Sequence, residues 1–229
     1  MKISIIIPAH NEEKYLEETL RYVSEQNYPD FEIIVVDNNS TDRTKEIAES
    51  FGVKVFSEKN KGTGWAREKG RLEASGEILA FLDADCLPDP DWLSRGVKYF
   101  ESNKDVVAVT GPYDYFDSLF WYRNFLMLIQ KYIYSFFNIL LQKLGIGAVI
   151  IFGNCFMRAS ALEKIGGIDT SIIFYGDDTD IAKRISKEGK VVFDSKLLMK
   201  GSSRRLQKEG MVKIPVIYVF HFFKTSLFG

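Results

Sequence analysis

The chain of 229 residues holds two cysteines and two histidines, and these shortages exclude much of the usual catalytic chemistry. Cys86 and Cys155 stand far apart with no Cys-x-x-Cys, so neither a zinc site nor a disulfide framework is indicated. Both read as small residues of a reducing cytosol. With His10 and His221 alone, a histidine-based triad has few candidates. The dinucleotide fingerprint also fails: Gly62-Thr63-Gly64 follows a strand-like run, but the third glycine position is Arg67. There is no Walker loop, no Gly-x-Ser-x-Gly elbow and no His-Glu-x-x-His. Whatever chemistry the chain performs falls to carboxylates and arginines. Uninterrupted apolar runs long enough for a signal or a membrane span are missing too. Residues 3–8 are too short for the h-region of a secretory signal, so none is expected. The ten residues of IPVIYVFHFF fall short of the ~20 that a spanning helix needs. No internal repeat or low-complexity linker divides the sequence.

Acid is absent from one long stretch. Residues 118–162 contain no Asp or Glu, against Arg123, Lys131, Lys143 and Arg158. The net charge of −1 hides this unevenness: residues 196–229 carry seven Lys or Arg against Glu209, a net of +6, which leaves −7 on residues 1–195. Basic and apolar segments behind an acidic domain point to an anionic surface as partner. Nucleic acid is disfavoured, since neither a recognised binding motif nor a strongly basic overall balance is present.

What is present begins as an alternation. KISIIIPA, FEIIVVD, VKVF and EILAFLD read as strands. NEEKYLEETLRYVSEQ, STDRTKEIAESFG and GTGWAREKGRLEASG between them read as helices, the first with Leu16, Leu20 and Val23 at helical spacing. Runs apolar on both faces, alternating with helices, predict an α/β fold with a mostly parallel sheet covered on both sides. Ligands of such sheets bind beyond the carboxyl ends of the strands. The ends here read Pro8-Ala9-His10-Asn11, Asp37-Asn38-Asn39-Ser40 and Asp83-Ala84-Asp85, all on one rim. Asp-x-Asp on an extended segment sends both carboxylates to one side, where two hard oxygens can share a divalent cation. The Asp and Pro residues of FLDADCLPDP are also turn formers, but the shared rim favours the chemical reading.

The middle of the chain is different. LFWYRNFLMLIQKYIYSFFNILLQKLGIGAVIIF is nearly all apolar, with Arg123/Asn124, Gln130/Lys131 and Asn138 recurring about every seventh residue. That is a narrow polar stripe on a long helix. Residues 119–144 are too polar to span a bilayer and too apolar for an ordinary surface helix. A helix lying in the membrane plane is expected, with Arg123, Lys131 and Lys143 at the headgroups; burial against the domain or a dimer partner is the alternative. FGNCFMRASALEKIGGID resumes a globular pattern, and GDDTDIAKRISKEG reads as a capped helix whose start gathers Asp177, Asp178 and Asp180.

Six blocks in this order, IIIPAHNEEKYLEETL, EIIVVDNNSTDRT, NKGTGWAREKG, LAFLDADCLPDPDWL, FGNCFMRASALEKIGGID and GDDTDIAKRI, resemble glycosyltransferase family 2 over roughly residues 1–205. The resemblance implies the GT-A fold, a Rossmann-like α/β sheet, and an inverting enzyme that uses nucleotide sugars. It implies that Pro8, Ala9, Asn11 and Glu12 bind the nucleoside, that Asp37 contacts the base, and that Arg67 helps to hold the nucleotide. Asp83, Ala84 and Asp85 fall on the Asp-x-Asp motif, whose carboxylates reach the ribose and, through Mn2+ or Mg2+, the diphosphate. Asp178 falls on the catalytic base, while Asp177 and Asp180 read as a cap and a solvated charge. Asp177 replaces the family's usual Glu, which leaves open which neighbour acts. SSRRLQKEG stands where processive synthases carry Gln-x-x-Arg-Trp, which disfavours a polymerase. Arg204 and Arg205 there either close over the diphosphate or are solvated basic residues.

The expectation is therefore a metal-dependent transferase of one sugar, with a UDP-sugar as first choice of donor and GDP-mannose as second. Its acceptor is expected to be a membrane or lipid-linked hydroxyl or phosphate at the cytoplasmic face of the cell membrane, in cell-envelope glycan synthesis. A membrane-bound, non-catalytic nucleotide-sugar binder and a transferase acting on a soluble acceptor are the alternatives. One catalytic domain is expected over residues 1–205, with a nucleotide-sugar-binding half (1–110) and an acceptor-side half (111–205). A basic, apolar membrane-associated tail (206–229) completes the chain as given.

Overall fold

A computed structural model describes residues 1–172 and 176–210 of the chain. The Ile-rich opening forms strand β1 (Ile3–Ala9), buried along its whole length. Alternate positions serve different layers, as a pleated strand requires. Ile3, Ile5 and Ile7 join one apolar cluster with Leu16, Leu20 and Trp92, while Ile6 joins another with Phe81, Leu162 and Ile181. Helix α1 (Leu16–Ser24), β2 (Phe31–Asp37), α2 (Thr44–Ser50), β3 (Lys54–Ser57), α3 (Thr63–Glu73) and β4 (Ile78–Leu82) come next, as the sequence predicts. Helix α1 starts late because the residues before it are tied to the next loop: the Glu12 N–H donates to Thr44 Oγ1 at 2.7 Å.

Strand β5 (Cys86–Pro88), α4 (Trp92–Ser102), β6 (Val106–Thr110) and β7 (Tyr113–Tyr115) lead to one long helix. It consists of α5 (Phe120–Leu128), a π-helical stretch (Ile129–Tyr134) and α6 (Ser135–Lys143). Then come β8 (Asn154–Arg158), α7 (Ala159–Lys164), α8 (Asp177–Ile185), β9 (Lys190–Phe193), β10 (Met199–Gly201) and α9 (Arg204–Glu209). The main sheet has seven strands in the order β3-β2-β1-β4-β8-β6-β9. Among them β8 runs antiparallel to β4 and β6; the remaining neighbours are parallel. Helices α1, α2 and α4 pack on one face, and α3, α7 and α8 on the other. A second sheet, β5-β10-β7, grows from the segment just after β4. Both cysteines are buried and free.

The stripe on the long helix is split: Asn124 and Lys131 are exposed, while the rest turns inward. Gln130 and Asn138 are buried. Gln130 accepts the Tyr113 N–H at 2.8 Å and donates to the Tyr113 carbonyl at 3.0 Å. Asn138 donates to the Val191 carbonyl and accepts the Val149 N–H, both at 3.0 Å. Gln142 binds the Val191 N–H and carbonyl, both at 2.8 Å. Arg123 pairs with Asp114, so the expected place at a headgroup is not where it lies. Strand β9 is a sheet edge, and its outer backbone groups need partners, which this helix supplies. The wider i→i+5 turns of the π-helical stretch keep residues four apart, from 122 to 138, on the inner side. No helix among the described residues is long and apolar enough to cross a membrane. The tail expected to associate with membranes lies outside the described residues beyond 210.

Candidate active site

Strands β1 and β2 end together, Ala9 opposite Asp37. Pro8 and Ala9 are buried. Beyond them the chain turns through Asn11 and Asn39, both left-handed with φ of 56° and 60°, a conformation that asparagine tolerates better than most residues. The two loops are laced together: the Asn11 N–H donates to Ser40 Oγ (3.0 Å), and Asn11 Oδ1 accepts from the Thr41 N–H (2.8 Å). Asp37 is buried and accepts from the Ser40 N–H at 3.3 Å.

Strand β4 ends one residue before Asp83. Asp83 Oδ1 accepts from Arg67 at 3.0 Å and Oδ2 from the Tyr113 hydroxyl at 3.1 Å. The buried Ala84 offers its carbonyl to the Thr19 hydroxyl (2.9 Å), which fixes the backbone between the two carboxylates. Asp85 Oδ2 lies 2.9 Å from Arg204 Nε. Arg204 also pairs with Glu12, and its guanidinium sits 4.4 Å from the Tyr15 ring centre. Glu12 Oε2 is buried with no hydrogen-bond partner among the described residues. Burial first, and then Asp83, push the Asp85 carboxyl up to about 7, against the opposing charge of Arg204.

Arg67 joins this rim to the second half of the chain. Projecting from α3, it is buried, lies 4.3 Å over the Phe152 ring, and donates to Asp177 Oδ2 at 2.7 Å as well as to Asp83. Burial opposes its charge, but Asp83 and Asp177 outweigh that and raise its pKa. Next to Asp177, Asp178 accepts the Phe152 N–H at 3.1 Å. Burial, and then the charge of Asp177, raise the Asp178 pKa above the ordinary carboxylate range, with Arg67 pulling the other way.

The structure thus links Glu12, Arg67, Asp83, Asp85 and Arg204 through shared partners, with Asp178 beside them. Pro8, Ala9, Asn11 and Asp37 line the adjoining rim, and Arg205 is next to Arg204 in α9. Two readings are corrected. Asp177 does not cap: no side chain caps α8, and Asp177 forms an ion pair with Arg67. Asp180 is held by Arg184 one turn along the helix rather than by water alone. The sequence reading missed Tyr113, Phe152 and Gly153. The block FGNCFMRAS was the available pointer to the last two; Tyr113 had none, because the small sheet delivers it.

The donor set fits a divalent cation. Five carboxylates (Glu12, Asp83, Asp85, Asp177 and Asp178) gather around two guanidiniums. Hard oxygens, an excess of negative charge and an unpartnered buried Glu12 oxygen suit such an ion. Among the described residues no group of three His, Cys, Asp or Glu could hold one alone, so its shell would be completed by oxygens from a ligand or water.

A mostly parallel sheet with Asp-x-Asp past its central strand and a half-buried carboxylate joined to it through Asp177 and Arg67 has the layout of a GT-A glycosyltransferase. Residues 4–166 match the family described as Glycosyl transferase family 2, and the chain belongs to that family. It is 34% identical over 187 residues to glycosyltransferase AglE of Haloferax volcanii, covering 76% of this chain and 58% of that protein. It is 30% identical over 118 residues to the glucosyl-dolichyl phosphate glucuronosyltransferase of the same organism, covering 48% of this chain and 38% of that protein. The chain therefore spans under two thirds of the length of both relatives. Among solved structures, mannosyltransferase PcManGT from Pyrobaculum calidifontis, in complex with GDP-Man and Mn2+, matches with a TM-score of 0.68 at 22% identity, over 88% of this chain and 56% of that one. Glucosyl-3-phosphoglycerate synthase from Mycobacterium tuberculosis, in complex with Mn2+, UDP and phosphoglyceric acid, matches with a TM-score of 0.66 at 20% identity, over 100% and 79%. These structures share the fold.

Proposed function

We propose that the protein is a metal-dependent, inverting glycosyltransferase that moves one sugar from a nucleotide sugar to a membrane or lipid-linked acceptor. The Arg67 bridge carries this reading. It binds Asp83 at the donor-side strand end and Asp177 at the start of α8, so the half-buried Asp178 stands beside the donor carboxylates. Asp178, oriented by the Phe152 N–H and with its proton affinity raised by burial, takes the proton of the acceptor hydroxyl as it attacks. Asp83 and Asp85 would hold Mn2+ or Mg2+, which supplies positive charge against the departing diphosphate. Arg204 and Arg205 answer the same charge from α9. Pro8, Ala9, Asn11, Glu12 and Asp37 form the nucleoside wall, with Ala84 beneath the ribose.

UDP-sugars stand first as donor and GDP-mannose second; fold neighbours with UDP and with GDP-Man support both. The dolichyl phosphate in a relative's name supports a lipid-linked acceptor, and the acid-free stretch 118–162 supports work at the cytoplasmic membrane face. The catalytic domain extends over residues 1–205 in this reading, and the tail 206–229 adds to membrane association. The experiment is a thermal-shift screen of UDP, GDP and dTDP, each with and without Mn2+, followed by transfer assays. Asp178→Asn should keep the nucleotide-induced shift and lose transfer by at least ~100-fold, and EDTA should abolish transfer. Transfer at full rate in EDTA would reject the metal. An active Asp178→Asn beside an inactive Asp177→Asn would move the base by one residue.

A further inference from the structure

The long helix is built the wrong way round for a solvent-facing element. Arg123, Gln130, Asn138 and Gln142 are spent inside, on Asp114, Tyr113, Val149 and Val191. Its large apolar side chains point out: Trp121, Phe125, Leu128, Tyr132, Phe136 and Ile139 are each more than half exposed. The stripe runs the length of a helix of 24 residues, about 36 Å. A contiguous apolar surface of that extent marks an interaction site on an otherwise globular protein.

We propose that this outer face docks on an anionic bilayer, with the helix axis in the membrane plane. Charge selects the occupant. The exposed charges on the helix are Lys131 and Lys143, and no acid occurs anywhere between residues 118 and 162. A second copy of the chain would bring lysine towards lysine with no carboxylate to answer, whereas anionic headgroups answer both. Trp121 and Tyr132 are the amphipathic ring types that settle at the headgroup level. Continuity adds to this. Leu206 of α9 packs on Tyr122, with Leu126 against the pair, so the chain leaves the described residues near the start of this helix. The next residues in sequence, 211–229, hold IPVIYVFHFF, Lys213 and Lys224, and no acid.

The inner stripe makes the docked helix a mount for the site. Gln130 grips the backbone of Tyr113, whose hydroxyl meets Asp83, and Asn138 grips Val149 in the loop that leads to Phe152 and Asp178. Docking does not rest on the transferase reading, and Asp178→Asn protein should dock like the wild type.

The test is co-sedimentation of the full chain with phosphatidylcholine vesicles carrying increasing phosphatidylglycerol, with Trp fluorescence read against lipids brominated on their acyl chains. Binding should rise with phosphatidylglycerol and weaken with salt. Bromine should quench Trp121, and Trp121→Phe should abolish that quenching. The double variant Phe125→Ser/Phe136→Ser should partition ~10-fold less or worse while melting no lower than wild type, since both rings are exposed in the fold. Lys131→Gln/Lys143→Gln should flatten the dependence on anionic lipid. Three results would overturn the proposal. One is protein that stays in the supernatant at every composition. Another is sedimentation without quenching of Trp121, which would assign binding to the tail. The third is a dimer in light scattering that Phe125→Ser/Phe136→Ser dissociates, which would give the face to a second copy.

Discussion

At Gly153 the chain passes so close to the site that an added Cβ would stand 1.9 Å from the Tyr113 hydroxyl and 2.2 Å from Asp83 Oδ2. Contacts that short force one of those side chains to shift. Gly153→Ala should displace one of the two groups, so Mn2+–nucleotide binding by calorimetry should weaken strongly while the protein stays folded. Tyr113→Phe deletes the hydroxyl's hydrogen bonds with Asp83 and Cys86 Sγ, of which the one to Asp83 is worth about 0.5–1.5 kcal/mol, and should weaken binding by less. A Gly153→Ala protein that binds as wild type would show that the displaced group takes no part in binding. At this scale the sequence reveals what is local. Asp83 and Asp85 are legible because Asp-x-Asp after an apolar run is a pattern of neighbours. Tyr113 lies 30 residues from Asp83 and is brought there by the pairing of β7 with β10, which no local pattern encodes. Asp177 misleads for the same reason: at a helix start it reads as a cap, and its partner Arg67 lies 110 residues away.

Among the elements, the α5–α6 helix separates two kinds of substitution. Gln130→Leu leaves the buried backbone N–H and carbonyl of Tyr113 without a partner and should cost ~1–3 kcal/mol. Phe136→Gln on the outer face should stay within ~0.5 kcal/mol. Urea unfolding of the two variants checks the assignment, and equal losses would mean that the helix is not seated by its polar stripe. Periodicity located that stripe but could not say which side was wet. The rule that polar residues face out holds when water is the only available partner, and here the edge strand β9 and the backbone of Tyr113 compete with water. The first four strands were legible because each is a short apolar run between helical patterns. The reversed direction of β8 was not, since strand composition carries no sign of direction.

Over the whole molecule, charge is arranged for function in one place and for stability in another. Asp85 binds its proton more tightly folded than unfolded. Its contribution to stability is therefore full below pH 3.8 and is lost as pH rises to about 7. Glu32, at the start of β2, is the reverse case. Burial works against its charge, yet hydrogen bonds from Lys54, Ser4 and Ser75 outweigh it and hold its pKa at about 2. That contribution is present above pH 4.5 and is lost as pH falls to about 2. In scanning calorimetry without metal, the wild type should lose stability relative to Asp85→Asn as pH climbs from 3.8 to about 7, and it should gain relative to Glu32→Gln between about 2 and 4.5. Parallel pH profiles for the wild type and Asp85→Asn would place that carboxylate in open solvent. The sheet itself runs through both halves of the chain: β8 lies between β4 and β6, and Trp92 Nε1 donates to Asn154 Oδ1 at 2.9 Å across the same seam. This bears on recombination among relatives. A cassette cut near residue 110 would arrive without the strand that runs through its middle, so donor preference cannot be transplanted with it. Chimeras that work should be those that exchange only the loops at the rim, or that carry both sides of the seam together.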